Sequence, residues 1–101
     1  MLYYIVFSLP GLMRKIKLSG REMSVVRSID FTNGEHGSEI LERTHIELDD
    51  LVDVVNGLMD SGFIETNPIV EQHVNAATLP ATLFEINPAY IQELRAAIAR
   101  R

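Results

Sequence analysis

Between Asp49 and Gly62 the apolar residues Leu51, Val54, Val55, Leu58 and Met59 recur at i, i+3, i+4, i+7 and i+8, and Phe63-Ile64 follow the glycine directly. Apolar groups at that spacing share one face of an α-helix and must be buried together. A glycine just past the last turn lets the chain leave the helix through a left-handed residue. The segment is therefore expected to be a helix with one buried face that runs straight into an extended strand. Asp49 is its expected N-cap, with Asp50 and Asp53 near the positive end of the helix dipole.

The flanking segments carry similar marks. Ser19-Gly20-Arg21-Glu22 reads as a capping box, in which the serine takes an orphan amide and the glutamate reaches back to the cap. Met23, Val25, Val26 and Ile29 give the following helix its buried face. Asn33-Gly34 and Gly37 break the chain, and a short second helix over Ser38 to Thr44 buries Ile40 and Leu41. After the long helix, 63–66 and 81–86 read as paired strands, joined by a loop containing Asn67-Pro68, Asn75 and Leu79-Pro80. Asn87-Pro88 caps a last helix whose apolar face is Ile91, Leu94 and Ile98. The first 18 residues read two ways: Tyr3 to Phe7 is strand-like, whereas Leu9, Leu12, Met13 and Ile16 sit at helical spacing. A helix or arm packed on the domain or on a second subunit is expected there.

Length and charge bound what such a chain can do. At 101 residues there is room for one domain. Without cysteine there is neither a disulfide framework nor a thiolate metal site, which fits a reducing compartment. The apolar run at 1–9 is too short to span a bilayer, which takes about 20 residues, and lacks the basic flank of a signal peptide. A soluble, cytoplasmic protein with no membrane partner is expected. The net charge of −5 is unevenly spread: residues 44–94 contain nine acids and no Lys or Arg, while the basic residues lie towards the two ends.

The order helix, short helix, tight turn, longer helix, hairpin and closing helix resembles winged-helix (winged helix-turn-helix) domains of bacterial transcription regulators. Gly37-Ser38-Glu39-Ile40-Leu41-Glu42-Arg43-Thr44 looks like the helix preceding that family's recognition helix. Leu58-Met59-Asp60-Ser61-Gly62-Phe63-Ile64 looks like its exit into the wing. The likeness covers about residues 19–98 and rests on apolar spacing and glycine placement. It implies an α+β, mostly α fold: a three-helix core, a two-stranded β-hairpin wing and a C-terminal helix at 87–101. Residues 1–18 would be the N-terminal arm and 19–101 the domain. It also implies that the third helix enters a DNA major groove while the wing touches phosphate or the minor groove.

Carried onto this chain, the outward positions of that helix are Asp50, Asp53, Asn56 and Gly57. Base contacts come mostly from Arg, Lys, Asn or Gln and phosphate contacts from Arg and Lys, so this face is poorly suited to a polyanion. The wing segment offers Glu65, Glu71 and His73. Two functions are therefore weighed. One is a non-enzymatic module that acts through protein association, as a homodimer or with a basic or apolar partner. The other is a DNA-binding regulator whose phosphate contacts come from Arg14, Lys15, Lys17, Arg21, Arg100 and Arg101. No nucleophile elbow, phosphate loop or dinucleotide fingerprint occurs, and His36, His45 and His73 lack metal-ligand spacing. Neither an enzyme nor a cofactor or metal site is expected.

Overall fold

The capping box at the start of the first helix is present. In the computed structural model, which describes residues 15–99, Ser19 Oγ accepts from the Glu22 amide at 3.2 Å and the Glu22 carboxylate accepts from the Ser19 amide at 2.8 Å. Helix α1 (Gly20–Ser28) follows and buries Val25 and Val26. Asp30 then makes a tight turn, its carboxylate accepting from the amides of Thr32 (2.7 Å) and Asn33 (3.0 Å). The chain passes through strand β1 (Glu35–His36) into α2 (Gly37–Thr44). Strand β1 is not expected from the sequence. Two residues are too few for an alternating pattern, and the strand exists because Glu35 and His36 pair with Phe84 and Leu83.

The long helix α3 (Leu48–Asp60) buries Leu51, Val55 and Leu58. It begins earlier than expected: Glu47 is the N-cap, without a side-chain bond, and Asp49 lies inside the first turn. The carboxylates near its start thus act on the dipole and cap no amide with their side chains. Its other end is a Schellman turn, with the Phe63 amide donating to Leu58 O (3.0 Å) and the Gly62 amide to Met59 O (2.9 Å). Gly62 takes φ 83°, which side-chain-bearing residues rarely adopt.

Strands β2 (Ile64–Asn67) and β3 (Leu83–Ile86) pair antiparallel, with Ile64 opposite Ile86 and Asn67 opposite Leu83. The sheet order is β1-β3-β2, so the expected two-stranded hairpin is part of a three-stranded sheet. A 3-10 turn at Pro88–Tyr90, capped by Asn87, leads into α4 (Ile91–Ala99). The described residues thus form an α+β, mostly helical arrangement around Phe84, Ile40, Leu51, Leu58, Leu79 and Leu94, all fully buried. Each contributes about 1.5–3 kcal/mol of apolar transfer.

Polar links tie the layers together at their rims. Arg43 donates to Ser28 O (3.0 Å) and to the Glu35 carboxylate (2.8 Å), joining α1, β1 and α2. Arg27 donates to Ile98 O at the end of α4, and Arg95 lies 5.4 Å above the Phe31 ring. Gly37 meets the Leu79 backbone so closely that no β-carbon fits, and its amide donates to Thr82 O at 2.9 Å. Residues 15–19 carry no regular structure, with Ile16 buried in the core. Positions 1–14 and 100–101 lie outside the described residues. The expected arm and strand before Lys15, and with them Arg14, Arg100 and Arg101, are therefore not located. No helix among the described residues is long and apolar enough to cross a membrane.

Candidate interaction face

A thirteen-residue helix with Leu51, Val55 and Leu58 turned inward must carry other residues outward. Asp49, Asp53, Gly57 and Asp60 are exposed and form that outward line. Asp53 and Gly57 therefore stand where the sequence places them. A β-carbon on Gly57 would meet nothing within 4 Å.

Asp50 and Arg21 also emerge, but towards each other. Their side chains approach to 3.4 Å, at 45% and 61% exposure. An exposed pair of this kind contributes about 0–1 kcal/mol, so it does more to cancel charge than to stabilise. The contact removes one acid from the free anionic line and one cation from the expected phosphate contacts.

Asn56 departs furthest from the outward position expected of it. It is half-buried; its Nδ2 donates to Val74 O and its Oδ1 accepts from the Val74 amide, both at 3.0 Å. Four residues on, Asp60 Oδ1 meets His73 Nε2 at 2.8 Å. These contacts pull the loop between β2 and β3 back against the flank of α3. Val74 is buried beneath the clamp, and further on Leu79 is fully buried against Gly37. The expected wing is thus a folded-back loop, with part of α3 as its support.

The tip of that loop is fixed as well. Thr66 Oγ1 donates to Pro68 O (3.0 Å) and accepts from the Val70 amide (3.1 Å). Held in this way, Ile69 is 75% and Val70 52% exposed. They are followed by the exposed Glu71. A groove of ≈ 230 Å³ between α3 and the loop is lined by Met59, Asp60, Ile64, Glu65, Ile69, Val70 and Glu71, among others. The surface is anionic and apolar together.

Lys15 and Lys17 are exposed at the base of the hairpin, where with Ile16, Phe63 and Tyr90 they line a cleft of ≈ 310 Å³. The Phe63 and Tyr90 rings meet edge to face there, with centroids 5.2 Å apart. None of the outward aspartates of α3 lines that cleft. Among the described residues no group of three or more His, Asp or Glu is arranged to hold a metal ion. Comparison with protein-family models, with curated proteins and with solved structures gives no match.

Proposed function

We propose that this chain is a winged-helix module of the transcription-regulator kind that works by binding protein, with α3 and the folded-back loop as its contact face. The fold part of the proposal is supported by element order: α1, α2 and α3 are followed by a hairpin and a closing helix. The observation that carries the functional part is the clamp of Asn56 on Val74. It occupies the side chain on α3 best suited to reading a base and leaves Ile69, Val70 and Glu71 at the loop tip.

Electrostatics points the same way. A carboxylate about 7 Å from a phosphate is repelled by about 0.6 kcal/mol even in bulk water. More importantly, a face without Lys or Arg releases no counterions from DNA, and that release drives non-specific binding. A basic or apolar protein surface is the complementary partner. The proposal places the protein in the cytoplasm and gives it no catalytic step.

The second reading, a DNA-binding regulator, is favoured by one observation. Lys15 and Lys17 are exposed, and among the described residues neither has a carboxylate within ion-pair distance. The test of the first reading is a fluorescence titration with a labelled peptide of alternating lysine and leucine. Saturable, salt-sensitive binding that Asp49→Asn/Asp53→Asn weakens is expected. Binding indifferent to those substitutions removes α3 from the contact face.

A further inference from the structure

We propose that the loop tip of one copy seats in the Lys15–Lys17 cleft of a second copy, so that the chain forms a two-fold dimer. The inference rests on reading the chain as a protein-association module and names one partner for it. Ile69 and Val70 are the large hydrophobic residues that the described part of the chain leaves exposed, at 75% and 52%. They stand on a loop already pinned by Thr66, by the Asn56–Val74 clamp and by His73 on Asp60. A projection that is ordered beforehand loses little conformational freedom when it docks. Glu71, beside it, is exposed and has no ion-pair partner among the described residues.

The cleft is its counterpart in shape and charge. Phe63, Tyr90 and Ile16 supply apolar walls, and Lys15 and Lys17 stand with them around a space of ≈ 310 Å³. An apolar projection with a carboxylate beside it thus faces an apolar hollow flanked by two ammonium groups. Both halves lie on the same chain. A single contact would leave the cleft of one copy and the projection of the other unused, whereas a two-fold axis satisfies both pairs and closes the assembly. The outward line Asp49, Asp53 and Gly57 takes no part and stays open to another partner.

Light scattering at micromolar concentrations tests this, with an expected mass twice the 11.4 kDa of one chain. Ile69→Glu, at an exposed site, is expected to give a folded monomer with an unchanged melting temperature. Lys17→Glu and Glu71→Lys are each expected to weaken dimerisation about tenfold, since two-fold symmetry counts every substitution twice. The doubly exchanged chain should recover most of that loss. A monomeric wild type, a mass that climbs past the dimer with concentration, an unaffected Ile69→Glu dimer or an exchange that fails to rescue would each overturn the proposal. A monomer that still binds the basic peptide defeats only the dimer; a dimer that ignores the peptide defeats only the reading of α3.

Discussion

Replacing Asn56 with alanine tests whether the amide is a clamp or a free contact. The substitution deletes the bonds to Val74 O and from the Val74 amide, each 3.0 Å long. Two such bonds contribute about 2 kcal/mol net, and stranding the backbone groups of a buried residue raises the loss towards 4 kcal/mol. The loop has an escape, since it can detach and let water solvate Val74. That route forfeits the burial of the valine, again about 2 kcal/mol. The cheaper route therefore sets the cost near 2 kcal/mol, out of roughly 5–15 for a domain of this size. The melting temperature should fall by about 10 °C, and hydrogen exchange at the Val74 amide should accelerate. Asn56→Asp should do at least as much harm, because it keeps an acceptor for the Val74 amide but sets a carboxylate against Val74 O. Were Asn56 free on the surface, both variants would stay within about 0.5 kcal/mol of wild type. Unchanged melting with unchanged Val74 protection refutes the clamp.

Two glycines should respond in opposite directions. Gly37→Ala drives a β-carbon into the Leu79 carbonyl, 2.7 Å from its carbon, so backbone must move; a loss of about 3 kcal/mol or more is expected in urea unfolding. Gly57→Ala meets empty space and should stabilise α3 by about 1 kcal/mol in the same assay. Amide donors from Asn33 and then Thr32 hold the Asp30 pKa below its ordinary value of 3.8. A depressed carboxylate pKa stabilises the fold above the unfolded value and loses that contribution as pH falls through the folded one. Asp30→Asn should therefore flatten the drop in urea midpoint below about pH 4, and an identical acid limb in the variant would contradict this.

Local signals in the sequence located the helices because their causes are local. The Ser19–Glu22 box, the apolar spacing from Leu51 to Met59, the Gly62 exit and the Asn87-Pro88 start each involve residues a few positions apart. The start of α3 moved from Asp49 to Glu47 because a row of acids offers several plausible caps and none of them bonds an amide here. Strand β1 and the close approach at Gly37 depend on Phe84 and Leu79, more than forty residues away. The candidate face divides in the same way. Helical periodicity suffices to turn Asp53 and Gly57 outward. Asn56 lies at the flank of the buried stripe, where periodicity cannot tell solvent from a loop that returns 18 residues later. The apolar pair after Pro68 was the available hint of an exposed tip. Its exposure depends on the Thr66 and Val74 anchors, which only the folded chain brings together.

Under the proposed function, α3 and the loop folded against it meet protein where a DNA-binding winged helix would meet phosphate. The most direct test is an anisotropy titration of a random-sequence duplex at low salt, where polyanion binding is strongest. No saturable binding is expected at micromolar protein. Saturation with a steep salt dependence, abolished by Lys15→Glu and Lys17→Glu, would contradict the proposal and hand the function to the basic edge of the molecule.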